Sequence, residues 1–584
     1  MYTTPSSGDS ARCWVPCVDS LWERCTWEFE FVIPRSLDAD GDSPTGPNYP
    51  CVVVCSGEFL QQIVHPVEPD KVIFLFEQLV LTSVQNVAFA AGPFHVMPLV
   101  TKAETAGANA QSRSVPQLHA FCLPGHEAHL KATVSFLPQT LRHYCQELGS
   151  YPFGSYKVVF VDELPVTRHD GAAMCLASID LLHPEDAIDP VFETRLSLSH
   201  GAATQWIGIN IYQKTWSDGW LIHGLSSYVS GLFIQKLMGK NEYRFRLKKD
   251  MMRVADMDVG NYPPICQPGL LEPPDESVKQ FIYLKSPLIL HILDRRMHKT
   301  GTSQGLHRII PKLVLDALQN ESNAALSTHA FLRMCRKTAS IDFRPFAEQW
   351  IYGSGCPRFA VKSHFNRKKM AVEMHVTQTS PAYAHNVNDP IALATLRPVQ
   401  FFDGQMTIRI HEADGTPYEH VLDIRQAVKK YDVPFNTKYK RVRRNTKRFI
   451  ARQQAAELAV NPESAELIGV IDMSFGLGIW EDEASREDWK VADWSEAEES
   501  LMATATYEWI RLDTDLEWIT MIQFDQEPFM WVSQLQRDRD VMAQLEVCNF
   551  FFKALPTAEH PYRLYMRSRG SRQKSSQPCS PRRS

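Results

Sequence analysis

Hydrophobic and polar residues alternate along the first part of the chain, which is typical of β-strands with one buried face. In "TWEFEFVI" (26–33), three aromatic residues and Ile33 occupy every second position, between polar or small residues. Further apolar stretches, separated by Pro, Gly and Asn, follow in "PCVVVCSGEF", "KVIFLFEQLVL" and "VAFAAGPFHVMPLV". We therefore predict an N-terminal β domain over residues 1–125.

The hydrophobic spacing changes to that of helices after residue 125. In "AHLKATVSFLPQTLRHYCQEL" (128–148), apolar residues recur every three to four positions, and Pro138 is expected to kink or divide the helix. A strand at 156–164, "YKVVFVDEL", comes next. We predict a mainly helical domain over 126–350, with helices at 195–209, 219–239, 278–299 and 304–319.

Alternation returns after residue 350, in "KMAVEMHVTQ" and in "QMTIRIHEADG", where Asp-Gly favours a hairpin turn. We predict a β-sandwich-like third domain over 351–520 and the start of a helical region over 521–546. Residues 547–584 end in the low-complexity run "RSRGSRQKSSQPCSPRRS" and are predicted to be disordered or the product of an incorrect gene model. The fold class that follows is α+β with several domains.

Two blocks of charge interrupt the predicted third domain. Residues 438–452 hold eight Lys or Arg and no acid, whereas residues 481–499 hold nine acids and two bases. Eight cations in fifteen residues are able to neutralise nucleic-acid phosphates, which gives salt-dependent binding that is largely blind to sequence. A nuclear-import signal and a solvated charged loop are the alternatives, and the acidic block is able to pair with the basic one. The candidate nucleic-acid-binding residues are Lys438, Lys440, Arg441, Arg443, Arg444, Lys447, Arg448 and Arg452.

Composition changes this picture little. A chain of 584 residues with 44% hydrophobic and 22% charged residues is typical of several globular domains, and a net charge of −6 does not by itself indicate nucleic acid. The 13 cysteines are scattered without a CxxC pair, as in reduced, intracellular proteins. We recognise neither a secretory signal nor an apolar run of the about 18 residues that span a bilayer, and expect no membrane association.

The stretch "RLSLSHGAATQWIGINI" (195–211) carries candidate chemistry. Zinc peptidases place two His at i and i+4 on one helix face, with a Glu after the first His as general base. Here His200 takes the first position, but Gly201 replaces the Glu and Thr204 replaces the second His. The sequence therefore indicates a peptidase-like helix that lacks its base and one ligand.

This helix and four other landmarks resemble the gluzincin aminopeptidases. In that family a Glu ligand follows nineteen positions after the second His; the same count from Thr204 reaches His223, in "WSDGWLIHGLSSYVSGLF". The loop "DGAAMCLAS" resembles Gly-Ala-Met-Glu-Asn, with Cys175 in place of the Glu that holds the substrate amine. "YLKSPLIL" matches the segment of the transition-state tyrosine through Tyr283, and "ARCWVPCVDSLWERCTWEFEFVIP" resembles the first domain. The resemblance covers about residues 11–360.

The resemblance implies an aminopeptidase-like N-terminal domain and a thermolysin-like helical domain with a small sheet. For chemistry it implies a vestigial site with no catalytic residue, no bound metal and no cofactor. We interpret His200 and His223 as hydrogen-bonded structural residues, Tyr283 as a packing residue and Cys175 as a small buried hydrophobe. Two alternatives remain: a zinc aminopeptidase with an altered metal site at His200 and His223, and a peptide- or protein-binding module that uses the old cleft.

Other segments narrow the resemblance to the subunit 2 family of the general transcription factor TFIID. "YGSGCPRF", "FNRKK" and "FMWVSQLQRDRDV" carry it, and the match spans roughly 11–546. It implies a non-catalytic nuclear scaffold that contacts the histone-fold subunit 8, the largest subunit and core-promoter DNA near the initiator, and for which no small-molecule substrate is expected. That family begins earlier and continues into helical repeats, so we expect a truncated gene model.

Overall fold

The structure, a computed structural model, describes residues 1–3, 11–38, 48–100, 115–299, 301, 305–320, 323–412, 417–435 and 505–554, together with 497, 500 and 502. The chain divides into two compact units. Unit 1 comprises Met1–Cys356 and Ser380–Gln400, and unit 2 comprises Pro357–Thr379 and Phe401–Ser584. Both contain helices and sheets, which confirms the α+β multidomain class; the domain boundaries near residues 125, 350 and 520 stay predictions.

Unit 1 begins with antiparallel strands that share an aromatic core. Its strands are β1 (Arg24–Pro34), β2 (Ser36–Asp38), β3 (Asn48–Pro50), β4 (Val52–Cys55), β5 (Glu58–Val64), β6 (Lys71–Ser83), β7 (Phe89–Gly92), β8 (His95–Val100), β9 (Gln117–Cys122), β10 (Ser155–Val161), β11 (Arg168–Gly171), β12 (Met174–Ser178), β13 (Tyr212–Gln213) and β14 (Ala325–Leu326). β6 lies between β1 and β5, and Phe29 and Phe31 of β1 pack with the buried Phe74 and Phe76 of β6. The alternation predicted for 26–33 is therefore confirmed.

Unit 1 also contains a five-stranded sheet with the strand order β11-β12-β10-β9-β8. Its central strand β10 runs parallel to both β9 and β12, and all seven of its residues are buried. A strand buried on both faces has a nearly continuous apolar sequence rather than an alternating one. "YKVVFV" fits this pattern except at Lys157, whose Nζ donates to the carbonyl oxygen of Cys55 (3.0 Å). The strand predicted at 156–164 is thus confirmed, ending at Val161.

Helices pack beside this sheet. Those of unit 1 are α1 (Glu127–Val134), α2 (Leu137–Glu147), α3 (Asp189–Thr204), α4 (Gly219–Met238), α5 (Lys240–Met257), α6 (Glu276–His298), α7 (Leu306–Gln319), α8 (Thr328–Ala339), α9 (Arg344–Trp350), α10 (Pro381–Asn386) and α11 (Pro390–Leu396). The four helices predicted between 195 and 319 are confirmed as α3, α4, α6 and α7. Pro138 does divide the first helical segment, since it lies in the first turn of α2, where its missing N–H costs no helical hydrogen bond.

Helix α4 is the centre of the helical core. It is apolar on most sides and packs against α3, α5 and α6. A Cβ atom at Gly224 would lie 3.0 Å from Ser286 Cβ and 3.1 Å from Leu290 Cδ1, so a glycine here permits α4 and α6 to cross closely. This crossing brings the polar side chains of α3, α4 and α6 together.

The described residues of unit 2 include two β-sheets and the helices Pro528–Arg537 and Val541–Ala554, and the β domain predicted over 351–520 stays a prediction. One sheet has the order β19-β16-β15-β21 and the other β18-β17-β20. The turn expected at Asp414-Gly415 lies outside the described residues, although the strands on either side of it pair as a hairpin. The elements are β15 (Arg358–Asn366), β16 (Ala371–Thr379), β17 (Gly404–Glu412), β18 (Pro417–Ile424), β19 (Val428–Pro434), β20 (Tyr507–Leu512), β21 (Met521–Asp525), α12 (Pro528–Arg537) and α13 (Val541–Ala554).

Two predictions for the end of the chain are corrected over part of their ranges. The helical region predicted for 521–546 begins with strand β21, because Ile522 and Phe524 alternate with polar residues and β21 pairs in parallel with β15. Of the tail predicted over 547–584 to be disordered or the product of an incorrect gene model, residues 547–554 instead continue α13, and residues 555–584 lie outside the described part of the chain. Val547 is fully buried and Phe550 stacks on Trp531 at 4.7 Å between ring centroids.

The two charge blocks fall outside the part of the chain that the structure describes, apart from residue 497 of the acidic block. All eight candidate nucleic-acid-binding cations are among these residues. Within the described ranges, no helix combines the length and the apolar character needed to cross a bilayer.

Candidate functional site

Gln205 and Trp206, the two residues after helix α3, attach the end of this helix to the region of the five-stranded sheet. Gln205 donates from Nε2 to the carbonyl oxygen of Gly171 (3.1 Å) and accepts at Oε1 from the backbone N–H of Ala173 (2.9 Å). Ala173 has a φ of 60°, a left-handed conformation uncommon for a non-glycine residue, which this hydrogen bond helps to hold. Trp206 Nε1 donates to the carbonyl oxygen of Ser150 (3.0 Å). The Gln-Trp pair therefore sets the position of α3 against β11 and β12.

Three of the residues singled out from sequence come together at the crossing of α3, α4 and α6. The ring centroids of His200 and His223 are 5.0 Å apart with the planes nearly perpendicular, and His223 stacks on Tyr283 at 3.7 Å. Thr204 takes no part in this cluster through its hydroxyl, which donates to the carbonyl oxygen of Gly201 in its own helix (2.7 Å).

An arginine that sequence reasoning missed occupies the space beside the first histidine. Arg168 of β11 donates from Nη2 to His200 Nδ1 (2.9 Å), from Nε to both carboxylate oxygens of Asp170 (2.8 and 3.0 Å), and from Nη1 to the carbonyl oxygen and the hydroxyl (3.1 Å) of Ser197. A Cβ atom at Gly201 would lie 3.0 Å from Arg168 Nε and 2.9 Å from Asp170 Oδ1. The glycine at this position therefore leaves the room that the Arg–Asp pair fills.

The guanidinium of Arg168 fixes where the proton of His200 lies. A guanidinium only donates, so His200 accepts at Nδ1 and carries its proton on Nε2. That Nε2 is 3.0 Å from Ser226 Oγ and 3.3 Å from Ser227 Oγ. Ser227 Oγ is in turn 3.2 Å from His223 Nε2. Polar contacts thus connect Arg168 to His200, His200 to Ser226 and Ser227, and Ser227 to His223.

Burial and the neighbouring cation keep both imidazoles neutral. Burial lowers the pKa of His200 well below its usual value, and Arg168 and His223 lower it further. Burial, with Arg168 adding to it, lowers the pKa of His223 to about 3, and burial raises the pKa of Tyr283 to about 12. Burial also opposes the charge on Arg168, but Asp170 raises its pKa above the usual value. The cluster therefore holds one guanidinium, one carboxylate and two neutral histidines.

A metal ion does not fit these donors. The lone pair at His200 Nδ1 accepts from Arg168, and His223 Nε2 faces the hydroxyl of Ser227, whereas zinc requires an imidazole lone pair of its own. A guanidinium in contact with the imidazole also repels a divalent cation. In the described part of the chain, no group of three or more His, Cys, Asp or Glu side chains is placed to hold a metal ion.

Cys175, at the position of the amine-binding Glu in the aminopeptidase pattern, lies inside the sheet. It is opposite Asp170 in the antiparallel pairing of β11 with β12 and has no exposed surface. Burial, to which Asp170 adds, raises its pKa well above the usual value, so at neutral pH it is a thiol. Neither the charge nor the exposure of an amine-binding group is present at this position.

A pocket with a volume of about 450 Å³ lies beside the cluster in unit 1. It shares Asp170 and Tyr283 with the cluster, and Lys279 and Glu276 of α6 also line it. Carboxamides and tryptophans make up much of the remaining wall, which therefore offers hydrogen-bond donors, acceptors and flat apolar surface together. These wall residues are Gln85, Asn86, Gln213, Gln267, Trp216 and Trp220.

The sequence contains a pattern that could have indicated the Arg168–Asp170 ion pair. Arg168 and Asp170 lie two residues apart in "TRHDG", and residues two apart on a strand share a face. Together with the missing side-chain volume at Gly201, this spacing indicates an ion pair that faces helix α3. Ser226 and Ser227 carried no such signal, because small polar residues on an apolar helix occur without any binding role.

Comparison with known proteins agrees with the fold and with the sequence landmarks. Residues 354–527 match the family model of the TAF2 Ig-like domain. The chain is 38% identical to transcription initiation factor TFIID subunit 2 of Schizosaccharomyces pombe over 93% of this chain and 50% of that protein. For the proteins of the same name in Saccharomyces cerevisiae and Drosophila melanogaster the identities are 28% and 27%, over 93% and 92% of this chain and 47% and 40% of theirs. The chain thus spans about half the length of the curated relatives that it matches.

A solved structure shares the fold over most of the chain. The crystal structure of Legionella pneumophila aminopeptidase A in complex with aspartic acid has a TM-score of 0.59 and 12% identity, and covers 91% of this chain and 48% of that one. The aminopeptidase-like fold expected from sequence is therefore confirmed.

Proposed function

We propose that this chain, which is related to TFIID subunit 2 over nine-tenths of its length, is a non-catalytic component of the transcription initiation factor TFIID. The sequence relationship carries the proposal. The chemistry at the crossing of α3, α4 and α6 supports it, since Gly201 offers no general base and the Nδ1 lone pair of His200 accepts from Arg168. In this role the peptidase fold serves as a scaffold in the nucleus.

A peptidase assay tests the non-catalytic part of this proposal. The full chain is incubated with a panel of fluorogenic aminoacyl substrates, with zinc or with a chelator. We expect no hydrolysis above that of the heat-inactivated protein under either condition. Zinc-dependent hydrolysis that disappears in His200→Ala would instead establish the alternative, an aminopeptidase with an altered metal site.

The basic block at 438–452 is proposed to contact core-promoter DNA. Its support is compositional, since eight cations in fifteen residues suit a polyanion, and the proposal extends to initiator DNA through the resemblance to TFIID subunit 2. Contacts from such a segment go to phosphates and position the protein without reading bases. The histone-fold subunit 8 and the largest subunit of TFIID are the proposed protein partners.

Fluorescence anisotropy across a salt series tests the DNA contact. The chain is compared with a variant in which all eight cations of 438–452 are changed to Gln, and with a control neutralised at the C-terminal cations. For each phosphate that the variant no longer neutralises, the slope of log K against log salt should flatten by about 0.9. Equal slopes for the three proteins would remove the block from the DNA interface. The control positions are Arg563, Arg567, Arg569, Arg572, Lys574, Arg582 and Arg583.

The 450 Å³ pocket favours a second, compatible function, the binding of an extended peptide without chemistry. Carboxamide side chains hydrogen-bond peptide groups, and aromatic walls bind apolar side chains. Labelled peptide pools should bind the chain more tightly than they bind Lys279→Glu, which reverses the one Lys among the lining residues. Equal binding by both proteins would count against the pocket as a peptide site.

A further inference from the structure

Arg168 joins three parts of unit 1 through a single guanidinium group. All three of its nitrogens donate: Nε to Asp170 on the same strand, and Nη1 and Nη2 to Ser197 and His200 on helix α3. Through His200 and the hydroxyl of Ser227 the network reaches helix α4. A strand and two helices are thus connected by one charged side chain that is 11% exposed.

A buried charge of this kind requires compensation. Asp170, whose side chain is 16% exposed, supplies the opposite charge at 2.8 Å, and Ser197 and His200 supply neutral acceptors. The group is therefore well paired, and each of its three nitrogens donates a hydrogen bond, which offsets the desolvation cost of a buried ionic group. Gly201 is part of the same arrangement, because any side chain there meets Arg168 and Asp170.

A metal ion at the crossing of these helices would perform the same two tasks. It would supply a cation between a strand and two helices, and it would engage the lone pair of His200. Arg168 does both with a side chain, and it leaves the imidazole proton on Nε2, on the side of Ser226 and Ser227. The guanidinium and a metal ion thus compete for the same electron pair.

We propose that Arg168 is an internal cation that replaces a metal ion at this site, holding β11 to α3 and keeping metal from His200 and His223. The inference goes beyond the proposed role in TFIID and does not depend on it. Removal of the guanidinium frees the Nδ1 lone pair of His200 and removes the repulsion, so a latent site for a divalent cation becomes available to the two imidazoles.

Titration of the chelator-treated full chain with Co²⁺ tests this inference, because cobalt absorption distinguishes nitrogen ligands from the thiolates of the cysteines. We expect no nitrogen-ligated cobalt in the wild-type chain or in Arg168→Lys, which keeps the charge. Arg168→Met should bind Co²⁺ roughly ten- to a hundredfold more tightly than the wild type, since a charge-assisted hydrogen bond no longer holds the lone pair. Arg168→Met/His200→Ala should lose that gain.

Melting temperatures provide a second readout with a matched control. Arg168→Met should melt below Arg246→Met, in which another salt-bridged arginine, paired with Glu193 and Glu242, loses its charge. Bound Co²⁺ should raise the melting temperature of Arg168→Met and leave that of the wild type unchanged.

Two results would overturn the inference: His200-dependent cobalt binding by the wild-type chain, or no gain of binding in a folded Arg168→Met. If Arg168→Met does not fold, Arg168→Gln decides, because it removes the charge and keeps a polar side chain beside Asp170. A folded Arg168→Gln that binds no more Co²⁺ than the wild type contradicts the inference. Loss of TFIID assembly in any variant, with cobalt binding as expected, would concern the proposed function alone.

Discussion

Lys285 and Asp258 form a buried ion pair whose removal should destabilise unit 1. Lys285 Nζ lies 2.6 Å from Asp258 Oδ2, and the two side chains are 1% and 0% exposed. Lys285 also donates to the carbonyl oxygen of Gly355 (3.3 Å), while the backbone N–H of Gly355 donates to Asp258 (3.1 Å). Burial alone would lower the pKa of Lys285, but Asp258 raises it, so the amine of Lys285 is charged at neutral pH. Lys285→Met is the informative change.

The expected magnitude follows from what the variant leaves behind. In Lys285→Met the carboxylate of Asp258 stays buried with the Gly355 N–H as its remaining backbone donor, and one unpaired partner of such a pair costs about 3–5 kcal/mol. Asp258→Asn added to Lys285→Met removes the second charge and should recover most of that loss. Lys279→Met is the matched control on the same helix. Its ion pair with Glu276 is solvent-exposed, so its loss should cost less than about 1 kcal/mol.

Hydrogen exchange of the amides of α6, measured beside chemical unfolding, is the appropriate assay. Because the chain contains two compact units, a single global transition is not guaranteed, whereas exchange assigns the loss to a particular helix. The reasoning is refuted if Lys285→Met stays within about 1 kcal/mol of the wild type, or if the double variant is no more stable than the single one.

Three further predictions concern other sites. Burial lowers the pKa of His411 to about 4. As the pH falls below about 6.5, His411 therefore binds a proton in the unfolded chain but not in the folded chain, which lowers the stability of the fold. His411→Phe should therefore lose less stability between pH 7 and pH 4.5 than the wild type, by chemical unfolding. Gly57→Ala should cost more than about 1 kcal/mol in thermal unfolding, because φ is 91° and the new Cβ would lie 2.5 Å from the carbonyl oxygen of Glu77. Iodoacetamide at neutral pH should label the exposed Cys13 in the native chain and leave the buried Cys175 unmodified. Peptide mass spectrometry measures the labelling, and a modified Cys175 beside an unmodified Cys13 would contradict the prediction.

Periodicity predicted much of the fold because many elements have one face in a core. The strand over 26–33 and the helices of 195–319 were found in this way, and Pro138 divided a helix as its missing N–H requires. The errors lie in 521–554. The helical prediction there came from the family resemblance, whereas Ile522 and Phe524 alternate with polar residues in the short strand β21. There the partner strand β15, far away in sequence, decided the structure.

The candidate site was predicted in its residues but not in its interactions. The spacing of the aminopeptidase motifs predicted that His200, His223 and Tyr283 lie on neighbouring helix faces, and the structure brings their rings into contact. The spacing did not reveal Arg168, since its contacts with α3 depend on how strand β11 packs against the helix. The sequence pattern of each element predicts that element alone, and does not predict how the strand and the helix pack together.

Affinity isolation of the tagged full chain from nuclear extract, with quantitative mass spectrometry, tests the central claim most directly. The account predicts that other TFIID subunits, including the histone-fold subunit 8 and the largest subunit, are recovered in near-stoichiometric amounts. It also predicts that His200→Ala, if folded, recovers the same set. Recovery of the folded chain without any other TFIID subunit would contradict the account.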